Sequence, residues 1–160
     1  LEQLVEAGFS GETAARMVNS VLNLKTKNGR FSTVDISMVD LYSGMCHFLK
    51  AGAATTFIKR DHWVEAISST SLALGLVQQA DFESSTKKLY EGDFLIMVTD
   101  GVLDALPEGQ AEEIMKEIIL QTNASAAQEL GRGILERVLT YSGYCATDDM
   151  TVLAAGLWRN

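Results

Sequence analysis

The stretch FLIMVTDGVLDAL, residues 94–106, is the segment that decides the fold. It begins with five apolar residues, Phe94 to Val98, which follow the turn-forming letters EGD. A short apolar run bounded by turn residues is typical of a buried β-strand. This strand ends at Thr99, Asp100 and Gly101, so a carboxylate stands where the chain leaves the sheet.

Similar short runs occur on the N-terminal side of this segment. They read FSTVDISMVDL, MCHFLKA, TTFIKR and WVEAIS, and short polar or glycine-containing stretches separate them. Parallel strands need long crossover connections, so these short connections favour antiparallel pairing. A last strand, MTVLAAGLW, closes the chain.

Helical periodicity appears at the start of the chain and after the central strand. Near the start, Ser10 is placed to cap a helix whose apolar face is formed by Ala14, Met17, Val18 and Val21. Two later helices are marked by Ala111, Ile114, Met115, Ile118 and Ile119, and by Leu130, Ile134 and Val138. Strands grouped before helices predict a single α+β domain over residues 1–160, in layers of antiparallel sheet and helix.

Composition excludes several functional classes. The chain has 160 residues, 47% hydrophobic and 21% charged, with a formal net charge of −8. Its 13 Lys and Arg residues are scattered, so we expect no nucleic-acid partner. No apolar run has the length of a membrane helix, so we expect no membrane contact from this segment. Cys46 and Cys145 are far apart in the sequence and predict free thiols rather than a zinc site.

Acidic residues flank the two most strand-like segments of the second half. Asp100 follows one, and Asp148 and Asp149 precede the other. If these strands pair antiparallel, Asp100 and Asp148 share one edge of the sheet. Their repulsion, about 4 kcal/mol at 4 Å for an effective dielectric near 20, calls for a cation. Hard oxygen ligands favour magnesium, manganese or calcium, although each motif alone is also a common turn sequence.

Four ordered segments carry a resemblance to a known family. They are STVDISMVDLYSGMCHFLKAGAATTFIKR, SLALGLV, EGDFLIMVTDGVLDA and DDMTV. The chain resembles the metal-dependent serine/threonine protein phosphatases (PPM or type 2C), and among them the phosphatases of sporulation. The resemblance implies a layered antiparallel β-sandwich flanked by helices, with two manganese or magnesium ions at one edge of the sheets. It also implies a metal-activated water that hydrolyses phosphoserine.

Residue by residue, the resemblance makes Asp100 and Asp148 metal ligands and catalytic residues. Gly101, Asp149 and Thr151 match neighbouring motif positions and are given supporting roles. The family motif that precedes the first helix, and whose Asp contributes to both metals, has no equivalent in the chain. We therefore expect an N-terminally truncated domain with little or no activity by itself.

The implied substrate is a serine-phosphorylated anti-anti-sigma protein, whose dephosphorylation releases a sigma factor. The implied location is the cytoplasmic side of a larger membrane protein. Two alternatives stay open, a stress-response phosphatase with another anti-anti-sigma partner and a non-catalytic interaction module. A homodimer formed through an unpaired sheet edge is a further alternative.

Overall fold

A computed structural model of the chain describes residues 1–25, 31–78, 82–145 and 148–158. Contacts divide the chain into two compact units. Unit 1 comprises Leu1–Ala53 and Ser69–Lys88, and unit 2 comprises Ala54–Ser68 and Leu89–Asn160. The assignment of residues 1–160 to one truncated domain stays a prediction. No helix among the described residues is long and apolar enough to cross a membrane.

In the part of unit 1 that the structure describes, there are two helices and a three-stranded antiparallel sheet. The strand order is β1-β2-β5, with β2 in the centre. Its elements are α1 Glu2–Glu6, α2 Gly11–Lys25, β1 Val34–Val39, β2 Met45–Ala51 and β5 Glu83–Lys88. Strand β5, ESSTKK, has no apolar residue and was not predicted, because its pairing with β2 comes from tertiary structure rather than from its own pattern.

The first long helix begins as expected and buries a different face. Ser10 Oγ accepts a hydrogen bond from the backbone N–H of Thr13 at 3.2 Å, which confirms the cap. The prediction that Met17 and Val21 lie on the buried face is wrong, since they are 39% and 47% exposed. Asn19 is buried instead and binds the loop after residue 74, donating from Nδ2 to the carbonyl of Val77 at 3.2 Å. A satisfied polar side chain therefore takes the place that the periodicity gave to apolar residues.

Among its described residues, unit 2 has a four-stranded antiparallel sheet and three helices. The strand order is β4-β3-β6-β7, so β6 lies inside the sheet and β7 at one side. Its elements are β3 Thr56–Arg60, β4 Trp63–Ile67, β6 Phe94–Val98, α3 Asp100–Asp104, α4 Ala111–Gln121, α5 Ala127–Tyr141 and β7 Val152–Gly156. The predicted strands and the two long helices are confirmed, whereas the single-turn helix α3 was not predicted.

The core of unit 2 lies between its sheet and the helices α4 and α5. Ile96 of β6 is fully buried in the same cluster as Met115 of α4 and Ile134 of α5. The predicted apolar faces of both helices supply most of the other helical members, including Ile118, Ile119, Leu130 and Val138. Because β6 is buried at its centre, its register is fixed, and so is the position of the residues that follow it.

Candidate functional site

The pairing of β6 with β7 brings the two predicted acidic positions to one edge of the sheet. The strands run antiparallel, with Phe94 opposite Gly156 and Val98 opposite Val152. The end of β6 therefore lies beside the beginning of β7. Asp100 is the first residue of α3, two positions after β6, and Asp148 lies four positions before β7. We call Asp100, Asp148 and Asp149 the acidic rim.

Thr99 extends the pairing beyond the two strands. Its backbone N–H donates to the carbonyl of Thr151 at 3.1 Å. Its side-chain Oγ1 accepts from the backbone N–H of Thr151 at 2.9 Å and donates to the carbonyl of Asp149 at 3.2 Å. Three hydrogen bonds from one residue thus tie the start of α3 to the segment that carries Asp148 and Asp149. The sequence pattern gives Thr99 no role, because its partners Asp149 and Thr151 lie about 50 positions later in the chain.

Gly101 lets the same two segments approach closely. A Cβ at this position would lie 2.6 Å from the carbonyl oxygen of Asp149 and 3.3 Å from the carbonyl carbon of Asp148. Only glycine therefore fits without a shift of the backbone. The supporting positions predicted beside the ligands are thus brought together in space, Gly101 against Asp149 and Thr151 against Thr99.

The two predicted ligands are exposed carboxylates that bind their own backbone turns. Asp100 Oδ1 accepts from the backbone N–H of Gly101 at 3.0 Å, and Asp148 Oδ1 accepts from that of Asp149 at 2.7 Å. Within the described residues neither carboxylate has an ion-pair partner, and no group of three or more His, Cys, Asp or Glu side chains could hold a metal. The donor chemistry of the pair, exposed carboxylate oxygens, fits a hard divalent cation. Their assignment as metal ligands stays a prediction.

Comparison with known proteins gives the family context. A family model described as stage II sporulation protein E (SpoIIE) matches residues 1–157. Stage II sporulation protein E of Bacillus subtilis is 31% identical over 161 aligned residues, which cover 100% of this chain and 20% of that protein. The chain therefore spans about a fifth of the length of that relative.

Solved structures give the same result for the fold. The PP2C phosphatase domain with a fragment of the regulatory domain of SpoIIE from Bacillus subtilis matches with a TM-score of 0.89 and 31% identity. That match covers 99% of this chain and 48% of the other. A manganese-presoaked structure of the same phosphatase domain matches with a TM-score of 0.76 and 29% identity, covering 99% and 72%. The predicted fold class is confirmed, since the two antiparallel sheets with their helices match the PP2C phosphatase fold.

Proposed function

This chain belongs to the stage II sporulation protein E (SpoIIE) family, and from that membership we propose that it is a protein serine phosphatase domain of the metal-dependent PPM type. The observation that carries the proposal is the acidic rim. Asp100 and Asp148 come from segments 48 positions apart in the sequence, and the β6–β7 register, the Thr99 hydrogen bonds and the Gly101 contact hold them at one edge. A pure interaction module would have no need for such clustered carboxylates.

Asp100 and Asp148 would supply carboxylate ligands to manganese or magnesium. The match to a manganese-presoaked relative supports this choice of metal. Divalent cations supply Lewis-acid activation of water and stabilise charge on a phosphoryl group. The residues of this chain hold the ligands in place, because Thr99 fixes the backbone of Asp149 and Thr151, and Gly101 admits that backbone against α3.

The substrate that fits the family is phosphoserine on an anti-anti-sigma protein, and its dephosphorylation would promote release of a sigma factor. We place the chain in the cytoplasmic part of a larger membrane protein. Family membership supports both statements, and it favours a sporulation phosphatase over a stress-response phosphatase.

The test is manganese-dependent phosphate release from a serine-phosphorylated anti-anti-sigma protein. The chain by itself and the whole natural protein that contains it are compared, each with Asp100→Asn and Asp148→Asn. The matched control is Glu117→Gln, which changes an exposed carboxylate of helix α4, the helix that packs against β4 at the side of the sheet opposite β7. We expect both rim variants of the whole protein to lose roughly 100-fold or more of the activity, since loss of mere outer-shell partners of a metal costs 10–100-fold.

The control should keep the activity of the native protein, and the chain by itself should release little phosphate. Rapid turnover by the 160 residues alone would contradict the expected truncation. A whole protein that binds the phosphorylated substrate without releasing phosphate would make the chain an interaction module. Full activity in Asp100→Asn would remove that residue from the site.

A further inference from the structure

Three exposed aromatic side chains lie at the edge of the unit 2 sheet formed by the other ends of its strands, opposite the acidic rim. The β3–β4 hairpin turn, the start of β6 and the end of β7 meet there, since Lys59 pairs with Phe94 and Phe94 with Gly156. Trp63 is 47% exposed, Tyr90 55% and Trp158 56%. We call these three residues the aromatic edge.

Two of the rings are fixed by one arginine. The guanidinium carbon of Arg60 lies 4.9 Å from the centre of the Trp63 ring and 5.3 Å from that of Tyr90. Arg60 Nε donates to Asp93 Oδ2 at 2.9 Å, and the backbone N–H of Tyr90 donates to the same oxygen at 2.8 Å. Asp93 is buried, so this arrangement is rigid. One face of each ring packs against Arg60, and each ring remains about half exposed.

The third ring is fixed by the end of β7. Trp158 lies edge to face with Phe94, with the ring centres 5.9 Å apart and an angle of 82°. Gly156 makes room for it, because a Cβ there would lie 2.7 Å from Trp158 Nε1. All three rings are therefore held before any ligand arrives, which lowers the entropy cost of binding.

The rings border two adjoining depressions. The larger, of about 690 Å³, is lined in part by Trp158 and Glu129, and the smaller, of about 370 Å³, by Trp63, Tyr90 and Glu91. Asp61 and Gly92 line both. The two depressions therefore adjoin, and an aromatic ring lines each of them.

The charge of this surface is negative. The carboxylates of Asp61, Glu91 and Glu129 are exposed around the depressions. Arg60 and Lys59 also line the depressions, but the charge of Arg60 is matched by Asp93 and Lys59 Nζ is directed to the carbonyl of Ile119 at 2.8 Å, so the three exposed carboxylates leave the surface negative. A ligand that complements exposed aromatic faces and carboxylates is a cation.

We propose that the aromatic edge docks a lysine- or arginine-bearing segment of a partner protein. The basic side chains would lie against the outer faces of Trp63, Tyr90 and Trp158 and near the three carboxylates. Tryptophan and tyrosine are the residues that most often dominate protein interfaces, and rigid examples bind best. A second copy of the chain is disfavoured as the occupant, since pairing two such edges would oppose like charges.

The test is fluorescence anisotropy with two labelled peptides of the same length, one built from Lys, Arg, Gly and Ser and one with Glu and Asp in place of the basic residues. We expect the basic peptide to bind and the acidic peptide not to bind, and we expect added salt to weaken binding. A triple variant, Asp61→Asn, Glu91→Gln and Glu129→Gln, should weaken binding at least tenfold. Trp158→Leu should weaken it to a similar extent.

Two control variants separate this surface from others. Tyr141→Leu removes an exposed ring at the end of α5, and Asp100→Asn with Asp148→Asn removes charge from the acidic rim. Both should bind the basic peptide as the native chain does, and thermal melts should show that all variants are folded.

Three results would overturn the proposal. They are unchanged affinity in the triple variant and in Trp158→Leu, loss of binding in the rim variant, and no binding by the native chain up to about 1 mM peptide, the weak end of specific affinity. Sedimentation that shows self-association lost in Trp158→Leu would assign the surface to a second copy and would overturn it as well.

Discussion

Replacement of Gly101 by alanine tests whether close backbone packing holds the acidic rim together. The added Cβ would lie 2.6 Å from the carbonyl oxygen of Asp149, whereas carbon–oxygen contacts of this kind normally begin near 3.3 Å. The backbone must therefore move by roughly 0.7 Å, because a carbonyl oxygen cannot rotate away as a flexible side chain can. That carbonyl also accepts the hydrogen bond from Thr99 Oγ1, which the movement would strain.

The cost follows from these two effects. Overpacking of this size typically costs about 1–3 kcal/mol, and loss of the hydrogen bond adds about 1 kcal/mol. The higher helix propensity of alanine stabilises α3 by about 1 kcal/mol and offsets part of this cost. We therefore expect Gly101→Ala to lower the free energy of unfolding by about 1–3 kcal/mol, which corresponds to roughly 2–12 °C in Tm for a chain of this size.

The matched control is Gly131→Ala. Gly131 is also a helical glycine facing β7, but a Cβ there would meet its nearest atom, the carbonyl oxygen of Val152, at an ordinary 3.6 Å. This variant should be unchanged or more stable by up to about 1 kcal/mol. Urea titration and thermal melts measure both, and manganese-dependent phosphate release by the whole protein should fall about 10–100-fold in Gly101→Ala alone. If Gly101→Ala were as stable and as active as Gly131→Ala, close packing would not be the reason for a glycine at the rim.

Two further predictions concern a half-buried lysine, Lys59, and a buried thiol, Cys46. Lys59→Met should lower the free energy of unfolding by about 1–3 kcal/mol in urea titration, because Lys59 Nζ donates to the carbonyls of Ile119 and Thr122 at the end of α4; an unchanged value would show that these bonds add nothing. Burial raises the pKa of the Cys46 thiol from 9.0 to about 11, so Cys46 should resist alkylation at pH 8 while exposed Cys145 reacts. The folded state retains the Cys46 proton longer than the unfolded state, so stability should fall as the pH rises from 9 to 11, and Cys46→Ala should remove that part of the fall.

Sequence patterns predicted the elements whose own residues favour them. The central strand Phe94–Val98 and the helices α4 and α5 were predicted because their apolar spacing matches their buried faces. Strand β5 was missed because Ser, Thr, Glu and Lys give no apolar pattern, and its conformation depends on its hydrogen bonds with β2. The buried face of α2 was misplaced because Asn19, a polar residue, is buried by bonds to a loop more than 50 positions away.

The candidate site, like the fold, was predicted only in part from the sequence. The placement of Asp100 and Asp148 at one edge was predicted on the condition that their two strands pair antiparallel, and β6 and β7 do pair in this way. The role of Thr99 did not follow, because its three hydrogen bonds are made with Asp149 and Thr151, about 50 positions later in the chain. A contact of that kind depends on the exact register of two strands, which no local pattern reports.

Both edges proposed as functional depend on that one register. At one edge Gly101 admits the backbone of Asp149, and at the other Gly156 admits the ring of Trp158. A shift of β7 by one residue would turn its side chains to the opposite face, would move the Asp149 backbone relative to Gly101, and would place a side chain opposite Phe94 where Gly156 now lies. The buried centre of β6 at Ile96, opposite Ala154, resists such a shift because it packs against α4 and α5. The same apolar run that specifies the central strand thus positions a carboxylate site at one edge and an aromatic surface at the other.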